Sequence, residues 1–341
     1  MRFSLFAHME RVDNQENHAL LYQNLKSLVQ RAEAGGMCCF WTGEHHGMEF
    51  TITPNPFLTL LDIANATRSI RLGTGTIVAP FWHPIKLAGE AALADLLTQG
   101  RLELGVARGA YSFEYERLSP GLDAWEAGQK MREILPLLRS LWQGDCAHEG
   151  DYFSFPKTTS CPKPLQENGP PIWVAARDPN SHQFALDHQF NVQVTPLWQG
   201  IEEVETLIGH YQNAAQKTKP TQIMLLQHAY IGQDKQDCAK GAKALSKFYN
   251  YFGAWFQNKR EINQGYIAHL TQEEMDANAM MSPDMMSKNL LIGTKAEVID
   301  RLKYYQSLGY DEFSLWLDNG LPHEEKMIQL TRFIEDIMPA F

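Results

Sequence analysis

The chain is expected to fold as an α/β protein, a single (β/α)8 TIM barrel, and three observations predict it. Strand-like apolar runs alternate with amphipathic helical stretches along most of the length, which means a parallel sheet with helical crossovers. About eight such units fit into 341 residues, which favours one closed barrel over an open doubly wound sheet. No shift in composition marks a boundary, so residues 1–341 read as one domain.

Each element has its own signal. Residues 2–7 are a short apolar run and read as the first strand. Leu20, Leu21, Leu25, Leu28, Val29 and Ala32 then form a helical stripe that Gly35-Gly36 terminates. Residues 37–41 are nearly all apolar, as expected of a strand covered on both faces. Helix 56–67, strand 71–78, helix 84–97 and strand 102–106 follow. A long helix runs over about 123–142, with Pro136 as a kink or break. Downstream come strand 171–176, helix 181–188, strand 191–194, helix 202–216, strand 222–231 and helix 239–256. Helix 295–308, strand 312–317 and helix 324–337 close the pattern. Two stretches, about 144–169 and 257–289, lack the alternation and read as loop excursions at the carboxyl face.

Composition excludes several function classes. With 30 Lys+Arg against 40 Asp+Glu the net charge is −10, which argues against nucleic acid or a membrane surface as partner. Eight tryptophans, seventeen phenylalanines and twelve tyrosines supply a large core. The first apolar run is far too short for a secretory leader, and no run approaches the ~20 residues that span a bilayer. Five cysteines, odd in number and scattered, suit free thiols in a reducing compartment. A cytoplasmic protein is expected.

Parallel barrels work at the carboxyl ends of their strands, and that rule selects the candidate residues. Glu44, His45 and His46 follow the second strand. They could be a general acid/base group, a solvated loop, or a metal site. Thr74 and Gly75, beside Gly73, would let something flat approach the backbone, or form a simple bulge. Arg108 ends the fourth strand among small residues, placed either to fork onto a phosphate or to form a structural ion pair. After the fifth strand, Ser181 near a helix start suggests an anion site or an ordinary cap.

Taken in order, these pieces resemble the bacterial luciferase-like, flavin-dependent monooxygenase family. The resemblance rests on Gly43-Glu44-His45-His46, Arg71-Leu72-Gly73-Thr74-Gly75 with Pro80 and His83-Pro84, and Ala94-Asp95-Leu96. It continues through Gly100-Arg101-Leu102-Glu103-Leu104-Gly105-Val106-Ala107-Arg108-Gly109 and Pro170-Pro171-Ile172-Trp173-Val174-Ala175-Ala176. Ile292-Gly293-Thr294 with Ala296-Glu297-Val298, and Leu308-Gly309-Tyr310-Asp311-Glu312-Phe313, complete it.

The resemblance implies FMN bound in reduced form at the carboxyl face of a homodimer, with a separate flavin reductase as donor. It makes His45 the catalytic base, with Glu44 and His46 flanking it. It places a non-proline cis peptide at Thr74-Gly75 under the isoalloxazine ring. Arg108, with Tyr111 close by, matches the phosphate-binding arginine. Ala175, Ala176, Arg177 and Ser181 would contact the ribityl chain and phosphate. No metal is implied. The reaction would add O2 at the flavin C4a position and use the peroxyflavin to oxidise a small, largely apolar substrate such as an aldehyde. The methionine-rich segment 257–289, with Met280-Met281 and Met285-Met286, would be a mobile lid or ordinary packing. Ala107 stands where some luciferases have a reactive cysteine, so light emission is not supported, and Arg177-Asp178 is more charged than expected. Alternatives are hydride transfer with FMN or a deazaflavin, a non-catalytic flavin-binding protein, and, last, a metal-dependent hydrolase.

Overall fold

Parity separates the two faces of every barrel strand. The computed structural model describes residues 1–11 and 16–341. Its strands are β1 (Arg2–Phe6), β2 (Cys39–Thr42), β3 (Arg71–Val78), β4 (Leu102–Ala107), β5 (Cys146–Glu149), β6 (Ser154–Thr158) and β7 (Ile172–Ala175). They continue as β8 (Asn191–Val194), β9 (Ile223–Gly232), β10 (Ile262–Asn263), β11 (Tyr266–Ile267), β12 (Leu291–Thr294) and β13 (Glu312–Trp316). β1, β2, β3, β4, β7, β8, β9 and β13 pair in parallel in that order, and β13 returns to β1 with Phe3 opposite Phe313. The barrel is therefore closed, and the expected strands are its staves. Outward-facing Leu5, Phe40, Leu72, Leu104, Val174 and Leu225 join the main core under the helices. Inward-facing Phe6, Trp41, Trp173, Met224 and Trp316 form a second core inside.

The interior needs its glycines. A Cβ at Gly73 would lie 2.0 Å from the Trp41 ring, so only hydrogen fits. The Trp41 and Trp173 rings meet edge to face at 5.4 Å, and their indole N–H groups donate to the buried carboxylates of Glu312 (3.3 Å) and Glu103 (2.7 Å).

The helices follow their caps. α1 (His18–Ala34) starts at the Asn17 side chain, and α2 (Pro56–Ala66) and α3 (Pro84–Leu97) start with proline after Asn55 and His83 caps. α4 (Ser112–Leu118) is a short helix that the sequence reading did not anticipate. α5 (Ala124–Gln143) runs continuously through Pro136, where a break was one expectation. α6 (Pro179–Asp187), α7 (Ile201–Ala215), α8 (Lys235–Gln257), α9 (Gln272–Ala277), α10 (Pro283–Asn289), α11 (Lys295–Leu308) and α12 (His323–Arg332) complete the set.

Two expectations need correction. The 144–169 excursion carries the β5–β6 hairpin, whose tip meets His83 after β3 (Phe153 at 5.6 Å), but its end at residues 165–166 lies at the opposite end of the barrel. Leu165 and Gln166 bond Asp95, and Gln166 also bonds the carbonyl of Leu102, where β4 begins. Second, the cover over the carboxyl face starts well before residue 257. Strand β9 outgrows the barrel, and its last residues pair with β12, Ala229 opposite Leu291. α8 then crosses the mouth, laying Leu245, Phe248, Tyr249, Phe252 and Trp255 on the inner core. α10 and the turn Ala279–Met281 before it pack on α8, burying Met286 and Met281 while Met280 stays exposed. Among the described residues no helix is long and apolar enough to cross a membrane.

Candidate active site

β2 ends at the barrel mouth, and the residues after it divide between scaffold and site. Glu44 is buried and fully engaged. It accepts the Val78 N–H (2.8 Å), the Trp82 indole N–H (3.0 Å) and a contact from His46 Nε2 (2.8 Å). Glu44 therefore fixes the loop and has no open position for substrate, which corrects its expected catalytic role. The hydrogen bond to Glu44, working against burial, raises the pKa of His46. His45 is partly exposed, and its Nδ1 lies 3.3 Å from Oε2 of Glu114 on α4. Glu114 is itself buried and also accepts the His46 N–H at 2.7 Å. The carboxylate holds the His45 proton on Nδ1, leaving Nε2 as the free acceptor. Sequence reasoning missed Glu114 because nothing local to residues 112–118 signals a functional helix.

Across the mouth stands a buried network of His8, Asp318, Trp316, His228 and Tyr249. Asp318 accepts His8 Nδ1 (2.8 Å), the His8 backbone N–H and the Trp316 indole N–H (3.0 Å). Burial works to raise the Asp318 carboxyl, yet His8, through its side chain first, together with the nearby Lys326 charge, holds it below its ordinary value. His8 Nε2 accepts the Gly43 N–H at 3.0 Å, and burial lowers the His8 pKa, so that ring is neutral. His228 stacks on Trp316 at 4.1 Å. Its Nε2 contacts the Asp318 carbonyl (2.6 Å) and therefore carries the proton, while Nδ1 accepts from the Tyr249 hydroxyl (2.8 Å).

Burial brings the His228 pKa down to about 3 from 6.5. A group favoured neutral in the folded state stabilises above its ordinary pKa and loses that contribution as pH falls towards its folded one. Acidification from pH 7 to 4 should therefore cost on the order of 3 kcal/mol through this residue. Denaturant unfolding of wild type and His228→Gln checks it: the variant should show the shallower acid slope, and equal slopes would refute the assignment.

The floor on the β3–β4–β7 side is made of small residues. Parity turns Gly75, Ala107 and Ala175 inward at the strand ends, and none of the three is buried. Thr74 is fully buried with its hydroxyl on the Gly105 carbonyl (2.7 Å), so it holds strands together instead of facing a ligand. The non-proline cis peptide lies one step beyond the expected Thr74-Gly75, at Gly75–Thr76, and both its residues are partly exposed. Below, Gln193 lies against Gly105, its Nε2 buried without a partner among the described residues.

The candidate phosphate residues are not all free to act. Arg108 is exposed and gives Nη1 to the Ala124 carbonyl at 2.6 Å, with no carboxylate in ion-pair range among the described residues. Tyr111 is buried beside His45, ring centroids 5.3 Å apart, and burial raises its phenol pKa. Arg177 is tied to Glu203 (2.8 Å), Gln199 and the Thr195 carbonyl. Ala176 faces the outer core. The N-terminus of α6 is closed by Asp178, whose carboxylate takes the Asn180 N–H (2.9 Å), the Ser181 N–H (3.1 Å) and the Ser181 hydroxyl (2.9 Å). Ser181 is thus part of a capping box, and its expected place in an open anion site is corrected. Among the described residues no group of three His, Cys, Asp or Glu is placed to hold a metal.

Parallel barrels of this kind carry their chemistry at the carboxyl mouth, and enzymes are what they become there. The profile of the family described as luciferase-like monooxygenase matches residues 1–312. The chain belongs to the luciferase-like monooxygenase family, whose members are flavin-dependent enzymes. It is similar to a protein of Acinetobacter baylyi named flavin-dependent trigonelline monooxygenase, oxygenase component. The two are 57% identical over 344 residues, 100% of this chain and 96% of the relative. An alkanal monooxygenase alpha chain of Aliivibrio fischeri is 30% identical over 50% of this chain and 48% of its own. Among solved structures, monooxygenase RslO1 from Streptomyces bottropensis shares the fold with a TM-score of 0.83, at 24% identity over 99% of both chains. So does the oxygenating constituent of 3,6-diketocamphane monooxygenase from Pseudomonas putida in complex with FMN, with TM-score 0.73 and 17% identity over 99% of this chain and 98% of that one.

Proposed function

We propose that this chain is the oxygenase component of a two-component monooxygenase, receiving reduced FMN from a separate flavin reductase and using O2 to oxidise a small heteroaromatic carboxylate of the trigonelline kind. The observation that carries it is the small-residue floor of Gly75, Ala107 and Ala175 at the barrel mouth, beside His45 and Arg108. The 57% identical relative supports the substrate class and, through the words "oxygenase component", the reductase. A charged heteroaromatic ring departs from the largely apolar, aldehyde-like substrate that the family resemblance implied.

The residues present fit a flavin. Side chains larger than methyl would fill the floor, and the unpartnered Gln193 amide below it is a donor that a ring carbonyl or nitrogen would satisfy. Reduced FMN, when bound, supplies the electrons that activate O2. Arg108 would hold the phosphate, and Arg177 would join only by giving up Glu203. His45 takes or returns a proton at Nε2, with Glu114 fixing its ring. Phe252 and Tyr111, in ring contact at 5.9 Å, close the mouth against water.

A homodimer is supported by the leucines left exposed on neighbouring helices, Leu58 on α2 and Leu93 and Leu97 on α3. A cytoplasmic location is supported by the five unpaired cysteines. The test is aerobic turnover with FMN, NADH and a generic flavin reductase. Trigonelline should be consumed in proportion to O2. Stoichiometric hydrogen peroxide with trigonelline, nicotinate and decanal all untouched would overturn the proposal.

A further inference from the structure

A cavity lies between α8 and the segments after β1, β2 and β13, lined by Glu10, Phe50 and Asn319 opposite the helix. Its volume is about 590 Å3, within the range of small-molecule sites. One wall is a ladder at four-residue spacing along α8: Lys243, Lys247, Tyr251 and Trp255 share a face and all line the space. Phe50 and Phe248, in ring contact at 5.0 Å, add a second aromatic surface.

Charge distinguishes the two ends of this ladder. Lys240, one turn earlier, is paired with Glu325 at 2.6 Å. Lys243 and Lys247 are exposed and have no carboxylate in ion-pair range among the described residues. Of the acids lining the cavity, Glu10 is buried and satisfied by the Asn319 and Gly320 N–H groups and by Lys326. Asp276 accepts from Gln272 at 2.8 Å. Among the described residues the cavity offers two cations one helical turn apart that no carboxylate pairs, followed by a slot of aromatic rings, in a protein whose net charge is −10.

We infer that this cavity is a binding site for a planar aromatic carboxylate, its ring against Tyr251 and Trp255 and its carboxylate on Lys243 and Lys247. The ligand chemistry deepens, and rests on, the substrate class proposed above. Phe248 and Trp255 also reach the inner core: Phe248 packs on His228 at 4.8 Å and Trp255 on Phe113 at 5.2 Å. One layer of α8 aromatics therefore separates the cavity from the mouth around His45. A ligand of this chemistry has two sources, the enzyme's own substrate on its way to the mouth or a separate effector.

Calorimetry on the flavin-free protein tests the site without turnover. Nicotinate should bind, nicotinamide (the same ring without the charge) should bind about tenfold more weakly, and Lys243→Gln with Lys247→Gln should weaken nicotinate by about tenfold. His45→Ala should leave nicotinate binding unchanged, which distinguishes this cavity from the mouth. Equal binding of nicotinate and nicotinamide, or an unaltered affinity in the double lysine variant with native circular dichroism, would overturn the inference. In turnover, a raised KM with unchanged kcat in the lysine variant assigns the ligand as substrate. Lost nicotinate binding with unchanged KM assigns an effector. Because binding is read without flavin or oxygen, a wild type that binds nicotinate yet fails to oxidise trigonelline would count against the proposed function and leave the site standing.

Discussion

His45→Ala should lower the rate of substrate oxidation by about 10²–10⁴-fold, the usual contribution of a positioned general base. Binding of reduced FMN should change little, because the floor and Arg108 are untouched. Glu114→Gln should produce a smaller loss and a shifted pH–rate profile, since an amide still fills the space but no longer favours the proton on Nδ1. Single-turnover measurements with reduced FMN and O2 read both. A His45→Ala enzyme that oxidises substrate at the wild-type rate would remove the base assignment. An unaltered pH profile in Glu114→Gln would reduce that carboxylate to a loop anchor through its bond to the His46 N–H.

Arg108→Ala should weaken FMN by about 10–100-fold while leaving riboflavin, which has no phosphate, almost unaffected. The expectation follows from where the two candidate arginines stand. Among the described residues Arg108 is exposed with a carbonyl and no carboxylate as partner, whereas Arg177 is already paired with Glu203. Arg177→Ala should accordingly cost less than Arg108→Ala. Equal losses for FMN and riboflavin in Arg108→Ala would refute its phosphate role.

The barrel was legible because its signal is periodic. Staves covered on both faces are continuous apolar runs, and crossover helices carry 3.6-residue stripes between caps, so Pro84–Leu97 and Lys295–Leu308 coincide with their expected bounds. What escaped depends on the third dimension. β12 is four residues long, and only the overhang of β9 makes it a strand. The stripe on α8 shows that one face is buried but not against what, so a cover over the mouth reads like an ordinary crossover. At the site, the motif order locates His45, Gly75 and Arg108. It cannot show that Glu44 is saturated by Val78 and Trp82, that Glu114 reaches over from a seven-residue helix, or that Thr74 points into the wall. Those are facts of side-chain direction, which alternation sets only once the register is known.

The closed end of α6 has a consequence for the traffic of the cofactor. Burial works to raise the Asp178 carboxyl, but the Ser181 and Asn180 bonds keep it ionised, so a negative charge is fixed where an incoming phosphate would otherwise find free N–H groups. On the proposed binding mode, the phosphate would then rest on Arg108 at the rim. A shallow hold of that kind favours fast arrival and fast departure over storage. If the proposed two-component cycle holds, the protein should purify colourless, its flavin arriving and leaving with each turnover.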